Sequence, residues 1–173
     1  MYNTNDLIEL KGKKYHGKKN HVNSFEKSYE YEIKAIDNEK VIKDCIILLH
    51  KWHEEVAVTV DKEMLMEIDA IKDLFSELHF FDLKSIAIYV DGELAGFAVG
   101  ETVNDKMAVI HVERGETDYK GIYAFLNRQF LIESFSDIEY VNRQEDTGNA
   151  GLRKAKQSYH PVKMVKKYLV KIA

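Results

Sequence analysis

The stretch Lys106–Asn142, KMAVIHVERGETDYKGIYAFLNRQFLIESFSDIEYVN, decides the fold of this chain. Its opening, Lys106–Glu113, alternates apolar and polar residues with a period of two, the signature of a half-buried strand. Tyr119, Tyr123, Leu126 and Phe130 then recur at helical spacing behind a Thr117/Asp118 start. DIEYVN returns to strand character. A helix between two strands permits a parallel crossover, so this stretch predicts two neighbouring parallel strands joined over one face of a sheet.

Towards the N-terminus, SIAIYV meets ELAGFAVG across Asp91–Gly92, a hairpin signal because both residues tolerate positive φ. Asn104–Asp105 turns the chain again. The expected sheet holds 86–90, 93–99 and 106–113 as an antiparallel meander, with 138–143 parallel to the third strand and helix 118–134 crossing between them. Further upstream, DKEMLMEIDAIKDLFSEL repeats Leu65, Ile68, Ile71, Phe75 and Leu78 near the helical period, with Asp61 at its start. DNEKVIKDCIILLHKWHEE carries the stripe Val41, Cys45, Leu48 and Trp52 behind Asp37 as N-cap. YEIKAI reads as a strand, and Val22, Phe25 and Tyr29 mark a short basic helix. Downstream come a short helix around Gly151–Gln157 and a final strand in VKMVKKYLVKI. The class is α+β with one mixed sheet.

Composition sets the frame for function. The chain has 173 residues, 45% hydrophobic and 31% charged, which suits a single globular domain over 1–173. Cys45 is the lone cysteine, which excludes an internal disulfide and a Cys-rich zinc site. No segment has the apolar length of a membrane span or a signal core, so a cytoplasmic protein is expected. The formal charge is −4, yet KGKKYHGKKNHVNSFEK holds six lysines and one glutamate, a local anion-seeking segment.

The element order matches the acetyltransferase-like GNAT fold. HVERGETDYKGIYAFLNRQF, then YVNRQEDTGNAGLRKAKQSYHP, with GKKYHGKKNHVNSF near the start, resemble bacterial proteins of unknown function related to the C-terminal domain of phosphatidylglycerol lysyltransferases. The similarity covers nearly the whole chain. It implies a GNAT-like mixed sheet flanked by helices, whose fourth and fifth strands splay to admit an acyl donor. It implies transfer of an acyl or aminoacyl group, from acyl-coenzyme A or aminoacyl-tRNA, to an amine or a lipid hydroxyl. It also implies a partner, a second GNAT-like domain N-terminal to the basic helix. The family often has Glu where Gln144 stands.

Candidate residues follow from position. Strict alternation sends Val109, His111 and Glu113 to one face of their strand and Ala108, Ile110 and Val112 to the other. Either Glu113 or His111 is then the candidate general base for the attacking amine or hydroxyl. Asn142 and Arg143 end the next strand, with Glu145 and Asp146 in the turn that follows, a normal ligand position in an open sheet. The alternative reading is an internal ion-pair network in which Arg143, Arg153, Lys154 and Lys156 answer Glu145 and Asp146 and tie the short helix to the sheet; the two readings are compatible. Tyr159, before Pro161, joins the substrate-binding candidates. Lys14, Lys18 and Lys19 are the candidates for tRNA phosphates.

RGETDYKGIY occupies the turn where a coenzyme A enzyme cradles the pyrophosphate on a helix N-terminus. Its acidic Glu116 and Asp118 disfavour a diphosphate there. His50 and His53 stand one turn apart without a third ligand fixed by sequence, so no metal is expected. The rival reading is a noncatalytic binding module that keeps the fold without the donor site.

Overall fold

The two turn signals fold as hairpins. Asp91 and Gly92 both take positive φ, 51° and 83°, and join β3 (Leu83–Val90) to β4 (Glu93–Asn104). The Asn104 side chain accepts the Lys106 amide at 3.0 Å and turns β4 into β5 (Met107–Gly115). Helix α5 (Ile122–Phe135) then carries the chain to β6 (Tyr140–Asn142), which lies parallel to β5 in the register Met107↔Tyr140, Ala108↔Val141 and Val109↔Asn142. The computed structural model describes residues 1–56, 62–78, 80–146, 148–166, 168 and 170, with the backbone alone for 52–56 and 62–64.

Two edge strands complete a six-stranded sheet in the order β1-β6-β5-β4-β3-β2. β1 (Tyr2–Asn3) pairs antiparallel with β6, and β2 (Tyr31–Lys34) with β3. α1 (Thr4–Glu9), a 3-10 turn at Lys13–Tyr15 and α2 (His16–Ser28) lead into β2, while α3 (Glu39–Val56) and α4 (Lys62–Ser76) precede β3. α6 (Ala150–Gln157) follows β6.

Alternation along the strands builds two cores. Val22 and Phe25 of α2 and Phe125, Leu126 and Phe130 of α5 pack on one face, with the Phe25 and Phe125 rings stacked at 4.4 Å. Cys45 and Leu49 of α3 and Ile68, Ile71 and Phe75 of α4 cover the other face over Phe97 and Val99. The mixed α+β sheet of the sequence reading is therefore present, with the expected parallel pair.

Four local expectations change. The Val41 amide donates to Asn38 Oδ1 at 3.1 Å, so Asn38 rather than Asp37 caps α3. Leu65 is 50% exposed, and among the described side chains of α4 the buried stripe begins at Ile68; the Asp61 start lies outside the described residues. α5 begins at Ile122 because Gly115–Gly121 is spent on a turn: the Glu116 amide donates to the Ala95 carbonyl at 2.8 Å, and Tyr119 packs against Tyr29 before the helix starts. Described residues between 162 and 170 form no strand. β1 already fills the free edge of β6, and the Val162 amide donates to the Met1 carbonyl instead.

Candidate functional site

β5 and β6 pair only as far as Val109 and Asn142. Beyond them β5 continues to Gly115, while the other chain turns away through Gln144, whose φ is 59°. The gap at the carboxyl ends of parallel strands is the usual ligand position in such sheets. Arg143 spans it: Nε and Nη2 donate to Glu113 Oε2 at 3.0 and 2.8 Å, and Asn127 of α5 donates to Glu113 Oε1 at 2.8 Å. Burying this pair is tolerable because the carboxylate meets three donors. The Arg143 guanidinium lies 4.6 Å from the Tyr159 ring and 5.8 Å from the Tyr2 ring. Burial works against its charge, but the Glu113 carboxylate outweighs that and pushes its pKa up. Arg143 Nη1 is buried without a hydrogen-bond partner.

The β4–β5 register slips between Val99 and Gly100, which face Val112 and Ile110 respectively. His111 is therefore the extra residue of a β-bulge, a device that re-aims side chains. Ile110 joins the α5 core and Val112 the α3/α4 core, so strict alternation does not hold. A side chain on Gly100 would meet Phe130 of α5, which puts its neighbour Glu101 on the opposite face. His111 Nε2 bonds Glu101 Oε1 at 3.0 Å, and its Nδ1 lies 3.4 Å from Gln144 Nε2. The bulge thus parts His111 from Glu113, which the sequence had placed on one face.

The turn after β6 is tied to α6. Asp146 accepts from Arg153 Nε and Nη2 at 2.7 and 3.0 Å and from the Gly148 amide at 3.0 Å. The Arg153 bonds, then the Gly148 bond, hold its carboxyl below the usual range. Asn149 caps α6 by accepting the Leu152 amide at 3.0 Å. Lys156 Nζ donates to the Arg143 carbonyl at 2.7 Å and also to the Glu145 carbonyl. A cavity of about 280 Å³ opens here, lined by Tyr2, Asn142, Gln144, Glu145, Asp146 and Lys156 among others. Asn142, Glu145 and Asp146 are brought together on its wall, while Arg143 and Tyr159 do not line it. Burial pushes the Tyr159 phenol pKa up.

The three lysine candidates are not equivalent. Lys14 pairs with Asp6 at 3.3 Å, and Lys19 is exposed. Lys18 is half-buried, with Nζ 4.0 Å from the centre of the Tyr159 ring. At the start of α5, the position of a Cβ on Gly121 would be 2.2 Å from the His21 carbonyl oxygen, so α2 lies directly on the helix N-terminus. The Lys120 amide donates to Tyr29 Oη at 3.2 Å, and the buried Glu116 carboxylate is ion-paired with Lys51.

Sequence reasoning missed Glu101, Asn127 and Tyr2. Asn127 could be found by spacing, four residues after Tyr123 and three before Phe130 on the apolar stripe of α5, where it is buried; the two-residue β1 offers no period to read. The His50–His53 pair rests partly on the His53 side chain, outside the described residues. Among the described residues, no three His, Cys, Asp or Glu side chains converge as metal ligands, and no helix is long and apolar enough to cross a membrane.

Comparisons with known proteins agree with this architecture. An uncharacterized protein of Mycoplasmoides gallisepticum is 28% identical over 99% of this chain and 55% of its own length. A crystal structure of a conserved protein of unknown function from Bacteroides thetaiotaomicron superposes with a TM-score of 0.87 at 32% identity, over 94% of this chain and 55% of that one. The chain thus spans about half the length of these relatives. A possible acetyltransferase from Clostridium difficile shares the GNAT-like fold, with a TM-score of 0.58 at 13% identity over 83% of this chain and 98% of that one. Residues 1–171 match the family described as phosphatidylglycerol lysyltransferase, C-terminal, and the chain belongs to that family.

Proposed function

We propose that this domain transfers an acyl or aminoacyl group to an amine or a lipid hydroxyl at the mouth between β5 and β6. The observation that carries this reading is the cavity lined by Asn142, Gln144 and Asp146, one hydrogen bond from His111 through Gln144. His111 acts as general base. Glu101 fixes the ring through Nε2, which leaves Nδ1 as the basic atom once the Gln144 amide swings aside. The nucleophile attacks the acyl carbonyl and its proton passes to Nδ1; collapse of the tetrahedral adduct expels the donor's hydroxyl or thiol, which takes the proton. Glu113 is the weaker base of the two candidates, since its lone pairs are committed to Arg143 and Asn127. It positions the strand ends instead.

The donor is an aminoacyl-tRNA rather than acyl-coenzyme A, and the transfer is cytoplasmic. A diphosphate needs the open N-terminus of α5, and here Gly121 lies against His21 while Glu116 occupies the turn. Lys14 and Lys19 face the nucleic acid. The other half of the longer relatives supplies a partner domain.

A second reading, a noncatalytic module, is favoured by one observation: the Arg143–Glu113 bridge spans the gap that a donor enters. Labelled aminoacyl-tRNAs and acetyl-coenzyme A, each offered with an amine and with phosphatidylglycerol vesicles, separate the two. Transfer that is lost in His111→Gln supports the enzyme. No transfer from either donor supports the module.

A further inference from the structure

A second cavity, of about 360 Å³, lies on the α3 side of the sheet and shares no wall residue with the one at the mouth. One wall is the face of α3 that carries Lys40, Asp44, Ile47 and Lys51 at helical spacing. The other is the start of β4, with Glu93 and Leu94, and the turn that holds Glu116 and Tyr119. The volume is many times the roughly 30 Å³ share of one water molecule, so the cavity has room for an organic ligand. Its charges do not balance. Three carboxylates, Asp44, Glu93 and Glu116, line it with two lysines, Lys40 and Lys51, which leaves one negative charge over. At Asp44 the charge is settled, since its Oδ2 accepts from Lys40 Nζ at 2.8 Å and from Tyr89 Oη at 2.7 Å. The excess sits at the other end, around Glu93 and Glu116.

Glu116 is 7% exposed, and Lys51 answers its carboxylate at Oε2; among the described residues no hydrogen bond reaches Oε1. A buried carboxylate oxygen left without a donor is costly until something supplies one. Glu93 is exposed, and among the described residues its side chain makes no ion pair and no hydrogen bond. The Tyr119 hydroxyl is likewise without a hydrogen bond. Burial first, then the charges of Asp91, Glu93 and Glu116, pushes the Tyr119 phenol up, which places those carboxylates close to the hydroxyl. Beside them Ile47, 55% exposed, and Leu94 form an apolar shelf. We infer that Glu93, Glu116 and Tyr119 form a seat for a ligand that carries one primary ammonium on an aliphatic stem. Three N–H groups meet the two carboxylates and the phenol oxygen, and the single charge cancels the excess. The stem covers Ile47 and Leu94, as the stem of a lysine covers apolar surface. A bare metal ion fits less well, because it would leave that shelf uncovered. Lys51 is half-exposed and screened by water, so it does not bar a second cation. The seat is separate from the mouth between β5 and β6, and it stands whether or not the domain catalyses a transfer.

The test is a nuclear magnetic resonance titration of the chain with n-butylammonium chloride at neutral pH and constant ionic strength, read at the backbone amides of Glu93, Glu116 and Tyr119. Tetramethylammonium, with the same charge and no N–H, and Nα-acetyl-lysine methylamide, with the same ammonium on a peptide unit, are further arms. The expected result is a saturable shift with n-butylammonium in the native chain and in the control Glu77→Gln, which removes an exposed charge elsewhere. In Glu93→Gln, also an exposed position, half-saturation should need about tenfold more ligand, the loss of one charge-assisted hydrogen bond. The amide spectrum of each variant reports whether its fold is kept. Acetyl-lysine methylamide matching n-butylammonium assigns the seat to a lysine side chain of another polypeptide, and a weaker response assigns it to a free amine; either keeps the seat. No saturable shift with n-butylammonium, equal affinity in Glu93→Gln and Glu77→Gln, or tetramethylammonium matching n-butylammonium overturns it.

Discussion

Arg143 and Glu113 join the two strands where those strands part, with Nε and Nη2 of the one donating to Oε2 of the other at 3.0 and 2.8 Å. His111 of β5 also bonds Gln144 across the same gap, at 3.4 Å. The buried Arg143–Glu113 pair helps to set the width of the mouth. Glu113→Gln removes the charge but keeps the shape, and leaves a buried guanidinium uncompensated. The expected loss is about 3–5 kcal/mol in urea unfolding. The double variant Glu113→Leu/Arg143→Met should recover most of it, since a well-packed apolar pair replaces a buried ion pair at little cost. A loss in the single variant below about 1 kcal/mol, the range of an exposed pair, would show that the bridge is not a fastener.

Gly121 and Gly92 both have positive φ, 92° and 83°, but only Gly121 is crowded. A methyl group on Gly121 would meet the His21 carbonyl at 2.2 Å, so Gly121→Ala must push α2 away from α5. Gly92→Ala meets nothing within 4 Å and should cost only the conformational term, about 1 kcal/mol. Denaturant midpoints for the two variants test this: Gly121→Ala should fall well below Gly92→Ala, and equal midpoints would mean that α2 is not seated on the helix start.

How far the chain could be read in advance follows from the range of each interaction. The meander β3–β4–β5 was legible because side-chain alternation and the Asp91–Gly92 turn are local, and the α5 crossover because its length and period are local too. β1 was not, since Tyr2 and Asn3 pair with residues almost a full chain away. The bulge at His111 was hidden because the period of two continues through it in sequence and breaks only in the register with Val99 and Gly100. The Arg143–Glu113 bond was hidden for a different reason. Each charge had a nearer partner of opposite sign, and the expectation that Arg143 answers Glu145 or Asp146 followed from proximity along the chain. In the fold Asp146 takes Arg153, and Arg143 reaches back across the gap to Glu113.

The Asp146–Arg153 pair makes stability depend on acid. The Arg153 hydrogen bonds lower the Asp146 pKa in the folded state below its ordinary 3.8. A carboxyl depressed in this way contributes stability that is fully present above 3.8 and is lost as pH falls through the folded-state value. Asp146→Asn should therefore unfold at lower urea than the native chain near neutral pH, with the difference shrinking towards zero in acid. A difference that stays constant across that range would assign the effect to packing instead.

The Glu101–His111 bond fixes a tautomer. Neutral His111 should carry its proton on Nε2, donated to Glu101, with Nδ1 facing the Gln144 amide. Nitrogen-15 NMR of the imidazole reads this directly. Glu101→Gln should mix the two tautomers, and it should slow any transfer reaction through the rate of turnover rather than through substrate affinity. A proton on Nδ1 in the native chain would remove His111 as the base in this orientation.

The proposed aminoacyl donor requires that the covered start of α5 turn coenzyme A away. Isothermal titration calorimetry of the chain with acetyl-coenzyme A measures it most directly, with aminoacyl-tRNA titrated in parallel at several salt concentrations. The expected result is no saturable heat with acetyl-coenzyme A, and binding of aminoacyl-tRNA that weakens steeply as salt rises. Saturable, low-micromolar binding of acetyl-coenzyme A would contradict the account and return the domain to the ordinary acetyltransferases.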